Sequence, residues 1–115
     1  MSETTVYIKP LSVNQCWTGR RFKSPNYHSY EEEMFLLLPK QYSIPEEGDL
    51  KLELRFGVSS KSGDADNLVK PFQDILQKKY GFNDKRIYEL NVTKEDVEKG
   101  DEYVSFQITQ RKTTS

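Results

Sequence analysis

The stretch GDADNLVKPFQDILQKKYGFND, Gly63 to Asp84, decides how this chain is read. It holds four aspartates, Asp64, Asp66, Asp74 and Asp84, around a lysine, Lys70. An α-helix turns about 100° per residue. With Asp66 at zero, Lys70 falls at roughly 40° and Asp74 at roughly 80°, while Leu68, Val69, Phe72, Ile75 and Leu76 cluster between roughly 180° and 300°. The spacing therefore predicts an amphipathic helix. Its apolar face turns to a sheet, and Asp66, Lys70 and Asp74 share the opposite face. Asp66 reads as the N-cap, Lys78 and Lys79 occupy the last turn, and Gly81 ends the helix. Pro71 must lie near the helix start or kink it, because it cannot donate to the Asn67 carbonyl. Asp64 stands two residues before the helix, and Asp84 follows the turn Gly81-Phe82-Asn83.

Outward from this helix the chain alternates between strand and helix signals. In LKLELRFGV, Leu50, Leu52, Leu54 and Phe56 alternate with Lys51, Glu53 and Arg55, the pattern of a half-buried strand. TVYIKP reads as a short strand ended by Pro10. SYEEEMFLLLPK reads as a helix with Ser29 as N-cap and Glu32 completing a capping box, Met34 to Leu38 buried and Pro39 as the stop. RIYELNVTK is a strand with Ile87, Glu89 and Asn91 on one face and Tyr88, Leu90 and Val92 on the other. KEDVEKG is a charged turn. DEYVSFQITQ is a last strand, with Val104, Phe106 and Ile108 opposite Tyr103, Ser105, Gln107 and Thr109. The expectation is one α/β domain over residues 1–115, a mixed β-sheet of about four strands with two helices. Residues 11–29 form a long loop and residues 111–115 a tail.

Composition bounds the rest. The chain has 115 residues, of which 30% are charged and 35% hydrophobic, enough for one core. No apolar run approaches the roughly 20 residues of a membrane span, and the N-terminus lacks a signal-peptide pattern. The single cysteine, Cys16, fits a reducing cytoplasm. Net charge is −1, but residues 1–27 carry one acid and four bases, a net +3, and residues 28–58 carry seven acids and three bases, a net −4. A local basic field can bind phosphates on a neutral protein. Loops beyond about 12–15 residues are usually functional or disordered. Arg20, Arg21 and Lys23 in the loop suit backbone phosphates, and Trp17, Phe22 or Tyr27 suit base stacking. Equally, the aromatics could fill the core and the bases be solvated.

The aspartates have a plain reading: a cap, an i,i+4 pair between Lys70 and Asp74, and loop residues. That reading leaves Asp64 and Asp66 repelling one another two residues apart. A hard divalent cation resolves the repulsion. A calcium loop is excluded, since Val69 stands where glycine is needed and Ile75 where glutamate is. One Cys and one His make no zinc site. No serine elbow or phosphate-binding glycine loop is present.

Asp64-Ala65-Asp66-Asn67-Leu68-Val69-Lys70, then Asp74, then Gly81-Phe82-Asn83-Asp84, resembles the signature of the RusA family of Holliday junction resolvases. Leu11-Ser12-Val13-Asn14-Gln15 is similar to that family's N-terminal P-S-x-N segment, which brings Asn14 into the DNA-contacting set with Trp17, Arg20, Arg21 and Lys23. The resemblance covers roughly residues 4–110. It implies a RusA-like fold and a Mg²⁺-dependent endodeoxyribonuclease (Mn²⁺ also serving) that resolves four-way junctions by paired symmetric nicks in recombination and repair. Asp64, Asp66 and Asp84 are then the metal-binding catalytic carboxylates, Lys70 the catalytic lysine and Asp74 a supporting residue. Many members carry paired aspartates where this chain has Asn83-Asp84, so Asp84 is the sole carboxylate there. Symmetric cutting from one carboxylate cluster calls for a two-fold homodimer. The resemblance also implies action in the cytoplasm of a bacterial or phage-infected cell, with a phage or prophage role. The alternatives are a nuclease for forks or flaps, or a non-catalytic nucleic-acid-binding module retaining the fold.

Overall fold

A computed structural model describes residues 3–13, 17–18, 22–59 and 65–111. Along the chain these form β1 (Thr4–Val6), β2 (Trp17–Thr18), β3 (Phe22–Lys23), α1 (Pro25–Leu37), β4 (Leu50–Val58), α2 (Asp66–Tyr80), β5 (Ile87–Asp96) and β6 (Tyr103–Gln110). A four-stranded sheet runs in the order β1-β6-β4-β5, and β2 and β3 make a separate two-stranded hairpin. β6 is antiparallel to both β1 and β4, whereas β4 and β5 are parallel and joined through α2, so the sheet is mixed. The fold class expected from the sequence holds: one small domain with four sheet strands and two helices.

Alternation in β4 sets the layers. Leu50, Leu52, Leu54 and Phe56 are buried, and opposite them in β6 so are Val104, Phe106 and Ile108. These residues join Tyr30, Met34 and Leu38 of the α1 region and Leu68, Val69, Phe72, Ile75 and Leu76 of α2 in one core cluster. The other sheet face is polar, with ion pairs from Lys51 to Glu53 at 3.0 Å and to Glu89 at 3.6 Å. Such exposed pairs contribute little to stability. At Gly57 this polar face leaves room for a ring. A Cβ there would lie 2.3 Å from the ring of Tyr103, its partner on β6.

Three local expectations are corrected. First, α1 begins at Pro25 rather than after Ser29. Ser24 is its N-cap and accepts from the Tyr27 amide at 3.2 Å, and Pro25 sits at the first helical position, where the missing N–H costs nothing. The loop therefore ends at Ser24, and within it lies the β2–β3 hairpin. The buried stripe of α1 is Tyr27, Tyr30 and Met34, continued by Leu38, a helical spacing. Leu36 is instead 87% exposed, so the Met34–Leu38 run is not buried as a block. Leu38 is extended because Pro39 follows it.

Second, β5 carries a register shift. Leu50 faces Ile87 but Lys51 faces Glu89, so Tyr88 is an extra residue, and Ile87 joins Val92 on the core side. Third, β5 continues through Asp96, taking Lys94, Glu95 and Asp96 out of the expected turn.

The two helices are joined by a polar staple. The Lys78 ammonium donates to Glu31 at 2.6 Å, and the Tyr27 hydroxyl donates to the same carboxylate at 3.1 Å. Burial works to raise the Glu31 pKa, but these two donors outweigh it and hold the group below its usual value. Tyr80 donates to the Pro39 carbonyl at 2.7 Å and packs on Tyr42, whose hydroxyl accepts from the Ile108 amide at 3.0 Å. Pro71 lies inside α2 and is fully buried.

Phe72 touches Phe56 and Phe106 edge-on at centroid distances of 6.2 and 5.7 Å. Phe72→Ala should cost about 3–5 kcal/mol, read as a lowered urea midpoint with an unchanged m-value. Burial, aided by Glu31 for Tyr27 and by Tyr42 for Tyr80, pushes both phenols from 10.0 up to about 12. Folding thus favours the neutral phenols. Their contribution is complete below pH 10 and is lost as pH rises through 12. Urea melts from pH 9 to 12 should show this decline, with a shallower slope in Tyr27→Phe.

Candidate active site

The polar face of α2 is fixed by its buried face. Lys70 and Asp74, one turn apart, join through a 2.8 Å hydrogen bond from the ammonium to Asp74 Oδ1. The Lys70 side chain is 62% exposed and that of Asp74 23%, so the pair projects outward from a half-buried base. The hydrogen bond that Lys70 donates to Asp74 raises its pKa most. Partial burial opposes it, and the charges of Asp74 and Asp84 add to the rise. Lys70 is therefore a fixed cation at neutral pH, bonded to Asp74 and within electrostatic reach of Asp84.

Asp84 reaches this neighbourhood by a chain reversal. Gly81 caps α2 in the left-handed region at φ 70°, which a residue with a Cβ adopts only at a cost. Phe82 then plugs into the core. Asn83 caps a short 3₁₀ turn, Asp84–Arg86, its side-chain oxygen accepting from the Lys85 amide at 2.9 Å. Arg86 clamps the turn from the far side, donating through Nε to the Gly48 carbonyl at 3.2 Å and through its terminal nitrogen to that of Pro45 at 2.5 Å. Asn83, which stands where a second aspartate was expected, thus shapes the turn that presents Asp84. Sequence reasoning missed both Asn83 and Arg86 as positioning residues. An Asx residue before a tight turn was the available signal for the first; Arg86 gave none, because its carbonyl partners lie 38 and 41 residues away.

Asp66 is not the N-cap. Ala65 occupies that position with helical dihedrals and no side-chain cap bond, so Asp66 is the first helical residue. The positive helix end still favours its charge, and its carboxylate is not consumed by capping. Neither Asp66 nor Asp84 has a side-chain hydrogen bond or ion pair among the described residues, so both keep hard oxygen donors suited to a divalent cation. No three metal-ligating side chains gather among the described residues. Asp64 lies outside them, as do Asn14, Arg20 and Arg21. Trp17 and Lys23 are backbone partners in the antiparallel β2–β3 ladder.

The structure thus brings together Lys70, Asp74 and Asp84, and sets Asp66 one turn before Lys70. This face is open. A cleft of about 290 Å³ lies elsewhere, between residues 8–11 and α1, and holds none of these side chains. The exposed charges of this face stand outside any enclosed pocket of the kind that usually holds a small ligand. No described helix is long and apolar enough to cross a membrane.

No curated protein was found to match the chain. The family model described as endodeoxyribonuclease RusA matches residues 10–107, spanning every element from β2 to most of β6 and all of the aspartates above. The chain belongs to the RusA family of endodeoxyribonucleases, the Holliday junction resolvases of DNA recombination and repair.

Proposed function

We propose that this chain is a divalent-cation-dependent endodeoxyribonuclease that resolves four-way junctions by paired symmetric nicks, working as a homodimer in the cytoplasm. The observation that carries the reading is Lys70, bonded to Asp74 on an exposed helix face and within electrostatic reach of Asp84, inside the matched family region. In the reaction a water oxygen bonds to phosphorus, one phosphorus–ester oxygen bond breaks, and the leaving oxygen takes up a proton. Asp64, Asp66 and Asp84 are assigned as the carboxylates that hold Mg²⁺, with Mn²⁺ as a substitute. A bound cation would neutralise the phosphate and lower the pKa of a coordinated water.

The chain's own residues account for the other contributions. Lys70, fixed as a cation, faces the scissile phosphate and stabilises charge that develops on its oxygens. Because its pKa is raised, it acts as a point charge rather than as a proton donor. Asp74 orients that ammonium through the 2.8 Å bond. Asn83 and Arg86 hold the turn that carries Asp84. Asn14, Trp17, Arg20, Arg21 and Lys23 are assigned to the DNA, the cations to backbone phosphates and Trp17 to an unstacked base. A two-fold dimer follows from the substrate, since a junction offers two symmetric strands and each chain supplies one site.

The test is cleavage of a synthetic four-way junction in Mg²⁺ with linear duplex as control. Wild type should give paired nicks near the branch, chelation should stop them, and added Mg²⁺ should restore them. Asp66→Asn and Asp84→Asn should bind the junction and leave it intact; a junction bound but uncut by wild type in either metal would overturn the reading. Lys70→Ala should lower the cleavage rate by about 10²–10³-fold. Asp74→Asn should lower it by roughly 10-fold through misplacement of the ammonium, with junction affinity unchanged in single-turnover assays.

A further inference from the structure

The cleft beside α1 has two walls of different character. One is a helix face, where Asn26, Ser29, Tyr30 and Glu33 follow the i, i+3, i+4, i+7 spacing of a single stripe. The other is the chain after β1, Ile8 to Leu11. The buried part of the lining is mostly apolar: Ile8 and Tyr30 are 7% and 5% exposed, and Pro10 is buried with them. The rim is polar. Asn26, Ser29 and Glu33 are exposed, and their side chains have no hydrogen bond or ion pair among the described residues.

We propose that this cleft takes one nucleobase drawn from the branch point of the DNA, an inference that rests on the resolvase reading. Size, polarity and charge each narrow the occupant. At about 290 Å³ the cleft lies just below the range that encloses a drug-sized molecule, so it suits a single ring system and is too small for a stretch of duplex. A nucleobase has apolar faces and a polar edge, which match an apolar floor with a polar rim. Lys9 on one wall and Glu33 on the other offset each other in charge. A free phosphate or carboxylate therefore gains no net attraction, while an uncharged ring loses none. Leu11 and Asn26 both line the cleft, and all the residues assigned to DNA, Asn14 to Lys23, lie between them in the chain. The DNA-contacting segment thus departs from one wall and rejoins at the other. A branch point interrupts stacking, so a base costs less to draw out there than within a duplex.

Glu33 selects among bases. An ionised carboxylate only accepts hydrogen bonds, so it asks for an exocyclic amine, which adenine, cytosine and guanine carry and thymine lacks. Ser29, one turn before Glu33, both donates and accepts, and Asn26, a turn earlier, does the same. The rim therefore serves whichever group neighbours the amine. Glu31, which meets Lys78 of α2, lies about 140° round α1 from Asn26. A base docked in the cleft leaves that staple, and the Lys70 face, untouched.

The test uses the full chain without added divalent cation, so that binding is read apart from cutting. Synthetic four-way junctions carry a single adenine–thymine pair at each position around the branch in turn, and permanganate oxidises a thymine whose partner has left the pair. Wild type should make the thymine opposite the docked adenine reactive. Ser29→Trp, which fills the cleft, should bind the junction without that reactivity. Purine in place of the docked adenine removes the amine and should weaken binding by wild type about 10-fold more than binding by Glu33→Ala; the comparison cancels the weaker pairing of purine with thymine. Circular dichroism checks both variants, and if Ser29→Trp does not fold the Glu33 comparison decides on its own. No reactive thymine at any position, reactivity that persists in Ser29→Trp, or equal losses in wild type and Glu33→Ala overturns the inference. Junction cleavage in Mg²⁺ is scored separately. Cutting with no docked base removes the cleft site and leaves the enzyme reading; a docked base without cutting does the reverse.

Discussion

Much of the site's geometry depends on the burial of Phe72 between Phe56 and Phe106. A helix is close to a rigid rod, so fixing the rotation of its apolar face fixes every other face as well. With Phe72, Ile75 and Leu76 locked on the sheet, Lys70 and Asp74 can only project away from it. The charged row is therefore placed by hydrophobic packing on its far side. Its own ion pair, with an ammonium well exposed to water, is too weak to do so.

How far this was legible in the sequence depended on whether the cause was local. β4 was read to its ends, Leu50 to Val58, because strict alternation has one structural meaning. The face shared by Asp66, Lys70 and Asp74 followed from helical spacing alone. The approach of Asp84 to Lys70 did not, because it depends on the Gly81 reversal and on Phe82 finding the core. The start of α1 was misplaced for a different reason. Ser24-Pro25 is a sound start signal, but it lay in a segment rich in turn residues, and Tyr27 was grouped with loop aromatics although it begins the buried stripe. Leu36 and Leu37 show the converse: an unbroken apolar run carries no periodicity, so composition could not say which side chains faced out. The extra residue in β5 had no local signal, since a register shift belongs to a pair of strands.

The fold divides its labour by layer. The helix side of the sheet holds the core and sets the active face of α2. The polar side is smooth enough for Tyr103 to lie across Gly57. The turn at Asp84–Arg86 links the two duties, because the chain that ends the site begins the edge strand. Arg86, by gripping the carbonyls of Pro45 and Gly48, ties that junction to the segment leading into β4.

Pro71 has a dynamic consequence. It has no amide hydrogen, so the carbonyl of Asn67 receives no bond from the next turn. The first turn of α2, which bears Asp66, is thereby attached to the rest of the helix by one bond fewer than a regular helix would supply. Local opening is cheapest where backbone bonds are fewest. The turn carrying Asp66 can then adjust its tilt while the Lys70–Asp74 segment, anchored through Phe72, keeps its place. One proline divides the charged face into a compliant part and a stiff part.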